Sequence, residues 1–160
     1  MNARMILEEY VCSGMLMQLA TLCDDGSPSI CNVWYSALFR PDRMYFISRH
    51  DRVHSANISR DGRVAGSIIA IPLTGLGQTA RGVTFDGIAC ELGANAEGEI
   101  EAFLQRWPRA RNVVTAERIA RDETPSRLYR IQVTSWVLFD EENFPESPRQ
   151  SFPAISAGST

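Results

Sequence analysis

Apolar positions along this chain fall into short runs broken by turn residues, the rhythm of a strand-rich protein. Met15 to Cys23 is almost unbroken, which predicts a strand buried on both faces. Asp25-Gly26, within the turn Asp24 to Pro28, is strong hairpin chemistry, so Ser29 to Phe39 should fold back on that first strand. A second turn, Arg40 to Arg43, leads into the β-prone run Met44 to Ser48. Val64 to Ile71 reads as a fourth strand stopped by Pro72, and Arg81 to Leu92 as a long fifth. In the fifth, Val83 and Phe85 share one phase, and Ile88, Cys90 and Leu92 the other. A flip at Gly87 is what a β-bulge would produce. Arg127 to Phe139 alternates Tyr129, Ile131 and Val133 against Arg130, Gln132 and Thr134, and predicts a last strand.

Helical spacing appears in the gaps. Arg4 to Cys12 carries a loose apolar face of Met5, Ile6, Leu7 and Tyr10. Ser48 and Asp51 fit the S-x-x-D capping pattern of a short helix ending near Gly62. Ile100, Phe103, Leu104 and Trp107 recur at i, i+3, i+4 and i+7, which predicts a helix over Ala96 to Trp107, ended by Pro108. A second helix, Ala110 to Arg121, should present Arg111, Arg118 and Arg121 as a solvated face. Six strands with helices at one end and between strands five and six predict a mainly β chain, an antiparallel barrel with helical insertions. Residues 1–140 are expected to form one domain. The tail, 141–160, interrupted by Pro145, Pro148 and Pro153, holds no periodic pattern and is expected to be irregular, either disordered or laid across a partner subunit.

Composition narrows the chemistry. A chain of 160 residues, 44% hydrophobic and 22% charged, suits a soluble globular domain that buries roughly 70% of its unfolded surface. No apolar run approaches the ~20 residues needed to span a bilayer, and the acidic residues of MNARMILEEYVCSG interrupt any signal-peptide core. A cytoplasmic location is expected. Cys12, Cys23, Cys31 and Cys90 show no CxxC spacing and sit in apolar runs, the pattern of buried free thiols rather than a zinc site. A net charge of −3 argues against general nucleic-acid binding. All sixteen Lys and Arg positions are arginine, so a lysine Schiff base is excluded and any phosphate must be held by guanidinium forks. Ser48, Arg49, Arg52 and His54 cluster where the third strand meets the following helix. Such a junction is a natural anion site, because helix N–H groups and the macrodipole already favour negative charge there.

The order NVWYSALFRPDRMYFIS, basic cluster, SANISRDGRVAGSI and RGVTFDG resembles the flavin-binding split-barrel family of pyridoxamine 5′-phosphate oxidase over about residues 10 to 140. RWPRAR, Arg106 to Arg111, is similar to an FPVAR-like segment of a poorly characterised bacterial branch. The resemblance implies a six-stranded antiparallel split β-barrel with helical insertions, a homodimer, and FMN in the seam between subunits. It places Asn32, Val33, Trp34, Tyr35 and Ser36 beside the isoalloxazine ring. Ser48, Arg49, Arg52 and His54 would hold the phosphate, with Arg81 and Gly82 near the ring or ribityl chain. His54 stands where the family often has lysine or arginine. The acidic tail, with Arg149 as its single cation, lacks the Arg-rich strand ending of the oxidase proper, so vitamin B6 is not the expected substrate. The leading expectation is an FMN-dependent oxidoreductase acting on a small molecule. The alternatives are a deazaflavin-dependent reductase of the same fold and a non-catalytic flavin- or haem-binding protein, for which His50 or His54 would be the available histidine ligands.

Overall fold

The computed structural model describes residues 2–158. Helix α1 (Ala3–Ser13) is capped by Asn2, whose side chain accepts from the Arg4 N–H at 2.8 Å. Then come β1 (Leu16–Leu22), β2 (Pro28–Leu38), β3 (Arg43–Arg49), α2 (Val53–Arg60), β4 (Arg63–Ile68) and β5 (Arg81–Leu92). Helix α3 (Glu97–Arg106), a 3₁₀ segment (Pro108–Asn112), α4 (Ala116–Ala120), β6 (Ser126–Asp140) and β7 (Arg149–Pro153) complete the chain. All neighbouring strands are antiparallel in the order β3-β2-β1-β4-β5-β6-β7, and β3 also pairs with β6. Six strands therefore close into the expected barrel. Among the described residues, no helix is long and apolar enough to cross a membrane.

Strand β6 makes closure possible because it is long. Its first half, Ser126 to Gln132, pairs with β3, while Ser135 to Phe139 pairs with β7 and β5 runs along its other edge. The tail expected to be irregular thus adds a strand beside the barrel. Its alternation was hidden by the prolines, which an edge strand tolerates. The bulge falls at Asp86/Gly87 as expected, but the extra residue is Thr134 on β6, since Asp86 opposes Ser135 and Gly87 opposes Val133. Accordingly β6 changes phase, from buried Tyr129, Ile131 and Val133 to buried Trp136 and Leu138. Strand β5 keeps Val83, Phe85 and Ala89 inward, and Ile88 faces out.

Four further expectations are corrected. Strand β1 is not buried on both faces; it alternates, with Met17, Leu19 and Thr21 inward. The doubly covered strand is β3: Met44 and Phe46 fill the barrel while Tyr45 packs outward against Ile100, Phe103 and Leu104 of α3. The helix after β3 begins later than the capping pattern suggests. Arg52 is its N-cap without a side-chain bond, Ser48 binds His54 instead, and Asp51 binds Arg49. The helix expected over Ala110 to Arg121 is split into the 3₁₀ segment and α4. The four cysteines are free, but none is buried; Cys12 and Cys90 are exposed.

Candidate functional site

The β2–β3 ladder runs from Leu38↔Arg43 to Tyr35↔Phe46 and stops there. The residues that would continue it, Asn32 to Trp34 on one strand and Ile47 and Ser48 on the other, line a cavity instead. Its volume is about 640 Å³, well within the range of small-molecule and cofactor sites. The split leaves a stretch of strand edge facing the cavity, and an unladdered edge offers backbone N–H and C=O groups to whatever enters.

The opposite wall is helical. Phe103 of α3 contributes an apolar floor, and Trp107, Arg109 and Ala110 follow where the helix ends. Trp107 is held by its indole N–H, which donates to the Tyr35 carbonyl at 2.9 Å. Its ring meets Trp34 edge-on, with centroids 5.3 Å apart and planes at 70°, and the Arg106 guanidinium covers it at 4.8 Å. Trp34 itself is 54% exposed. Two large aromatic surfaces thus border an open, mainly apolar space.

A polar corner closes the cavity at the β3–α2 junction. Ser48 Oγ lies 2.7 Å from His54 Nε2. Burial, and secondarily the charge of Arg52, push the His54 pKa down from its ordinary value, so its imidazole is neutral near pH 7. A neutral ring has one N–H donor and one acceptor nitrogen, and the Ser48 hydroxyl can adapt to either. Arg49 turns away into a fork on Asp51, with Nε–Oδ1 at 3.0 Å and Nη2–Oδ2 at 2.7 Å. That bond pulls the Asp51 pKa down to about 2. Arg52 has no ion pair or side-chain hydrogen bond among the described residues.

Of the residues expected at the site, Asn32, Val33, Trp34, Ser48 and His54 border this cavity. Tyr35 does not. Its side chain is fully buried in the barrel, where the hydroxyl donates to the Val11 carbonyl and burial pushes the phenol pKa up. Ser36 borders a separate cavity of about 200 Å³ with Cys12 and Arg106. Arg81 pairs with Asp140 and Glu142 and lies over the Tyr10 ring, and Gly82 pairs with Phe139 along the sheet; neither lines the site. Phe103, Trp107, Arg109 and Ala110 were not expected there. Helical spacing marks Phe103 and Trp107 only as core positions, and the one other signal was the arginine run RWPRAR.

No protein-family model matches the chain, and no curated protein sequence does. Solved structures do. A haem-binding protein from Mycobacterium smegmatis superposes with a TM-score of 0.70 at 18% identity, over 90% of this chain and 55% of that one, so the chain spans about half of it. A FAD-binding protein from Mesorhizobium loti gives 0.64 at 15% identity, over 85% and 92% of the two chains. An F420 reductase gives 0.56 at 16% identity, over 81% and 94%. At such identities the likeness is one of fold.

Proposed function

We propose that this chain is an FMN-binding flavoprotein, an oxidoreductase acting on a small molecule, that works as a homodimer. The split between β2 and β3 carries the reading, because it combines in one cavity the three things a flavin needs. Trp34 and Trp107 offer aromatic surface to a planar ring system. The open edge at Asn32 to Trp34 offers backbone hydrogen bonds to the ring's polar rim. The Ser48 hydroxyl and the His54 N–H, which line the cavity, offer a phosphate hydrogen bonds, and Arg52, exposed at the start of α2 two residues before His54, would supply a full charge from outside the lining. That structures of similar fold include a FAD-binding protein and an F420 reductase adds support. A bound flavin would supply two-electron chemistry; the chain's residues would orient it and keep water from its covered face. A second reading, haem binding, is favoured by one observation, a neutral histidine bordering the cavity.

The absorption spectrum of purified protein separates the two, since haem gives a Soret band that flavin lacks. FMN should quench on binding at micromolar concentration and riboflavin should bind worse. Arg52→Ala should weaken FMN binding tenfold to a hundredfold, the ~1.5–3 kcal/mol of a charge-assisted hydrogen bond. Arg118→Ala should leave FMN binding unchanged, because that guanidinium is already bonded to the Asn112 carbonyl. No FMN binding, or equal effects of the two substitutions, would overturn the reading.

A further inference from the structure

Among the described residues, every arginine but two has a carboxylate, carbonyl or hydroxyl partner for its guanidinium. The two without one are Arg52 and Arg109. Arg109 lines the cavity directly, while Arg52 is the N-cap of α2, two residues before His54, which lines it. They stand on different walls, Arg52 at the start of α2 and Arg109 in the 3₁₀ segment after α3. In RWPRAR the neighbouring arginines are already committed. Arg106 lies on Trp107 and donates to the Gly14 carbonyl, and Arg111 is paired with Glu101. The carboxylate of Glu99 is taken by Tyr45 and Arg130. Arg109 is thus a solvent-exposed cation, committed to no protein acceptor among the described residues, at the edge of an apolar, aromatic cavity.

We propose that Arg109 selects the second ligand of this cavity, a small unsaturated or aromatic molecule bearing a carboxylate. This rests on the flavin reading, in which Arg52 serves the cofactor phosphate and leaves Arg109 for a different anion. The guanidinium fork can donate to both oxygens of a carboxylate, while Trp34, Trp107 and Phe103 receive the apolar body.

Benzoate and benzamide, nearly identical in shape and different in charge, are the probes. They are titrated into FMN-loaded protein, read by the visible flavin band, and into protein alone, read by tryptophan fluorescence. Wild type should bind benzoate about tenfold tighter than benzamide, the size of one charge-assisted contact. Arg109→Gln should abolish that preference, Arg109→Lys should retain part of it, and both should leave FMN affinity within about threefold. Arg52→Gln should leave the preference intact. Equal binding of the two probes by wild type, or a preference that survives Arg109→Gln, would overturn the proposal. So would a loss of FMN but not riboflavin binding in Arg109→Gln, which would make Arg109 the cofactor-phosphate residue. If the protein alone shows the Arg109-dependent preference and takes up no FMN, this proposal stands and the flavin reading falls.

Discussion

Asp42, in the turn between β2 and β3, is fully buried and joins stretches of chain far apart in sequence. Its carboxylate accepts from Arg4 Nη2 at 2.7 and 2.8 Å, from the Trp136 indole N–H at 2.8 Å and from the Ile155 N–H at 3.1 Å. Its carbonyl accepts from Val133 N–H at 3.2 Å and Gln132 Nε2 at 3.1 Å. It sits where β6 passes from one partner, β3, to the other, β7. Removing the carboxylate would leave Arg4 Nη2 and the indole N–H without acceptors, Arg4 keeping only its pair with Glu8, so Asp42→Ala should cost about 3 kcal/mol in urea denaturation. Burial alone would raise the Asp42 pKa; the bonds from Arg4, Trp136 and Ile155 outweigh it and hold the pKa below its ordinary value. A lowered carboxylate pKa means the unfolded chain binds the proton more tightly. This contribution is therefore present above the ordinary carboxylate range and is lost as pH falls through the folded value. Asp42→Asn should be less stable at neutral pH and lose less on acidification than wild type. Parallel pH profiles for the two would refute that role.

Elements show the same division between local pattern and packing, and two glycines measure it. Gly87 sits opposite the bulge, where an added Cβ would come within 2.6 Å of Ile131 Cγ2 and 2.8 Å of the Gln132 carbonyl oxygen. The second of these is backbone and cannot yield cheaply. Gly87→Ala should therefore destabilise by about 1–3 kcal/mol, as overpacking does. Gly98, in the first turn of α3, has nothing within 4 Å of such a Cβ. Gly98→Ala should stabilise by ~0.4–1 kcal/mol through the unfolded chain. Paired thermal melts test both, and the same sign for the two would defeat the argument. The change of apolar phase read at Gly87 marked the place of the bulge but not its strand: β5 keeps its phase through Gly87, with Ile88 and Cys90 turned outward, and β6 shifts phase around the extra Thr134. The bulged strand changes phase and its partner does not, so only the register of Gly87 with Val133 assigns it.

For the molecule as a whole, the surplus of apolar surface is the telling quantity. Met15 is 53%, Leu16 38% and Ile30 71% exposed along β1 and β2 and the residue before them, and Trp34 beside the cavity is 54%. Contiguous apolar surface of this kind marks interaction sites. We expect the homodimer proposed above to bury it, with light scattering at micromolar concentration giving twice the 17.8 kDa chain mass. Trp34→Glu should shift that mass toward the monomer; a monomeric wild type would remove the proposal.

Turn chemistry and short-range period reach only a few residues along the chain, and what depends on them could be read directly. The Asp25-Gly26 hairpin, the strand run Arg81 to Leu92 and the apolar face of α3 are all of this kind. What tertiary structure decided depends on residues distant in sequence. Closure by one long strand, the place of Asp42 against Trp136 and Ile155, and the helical wall of Trp107 and Arg109 across from Asn32 and Ser48 belong here. So does the sorting of sixteen arginines into those with partners and those without. A guanidinium's role is set by the nearest carboxylate in space. Arg49 and Arg52 are equivalent as letters, yet Asp51 turns back onto one and leaves the other uncompensated.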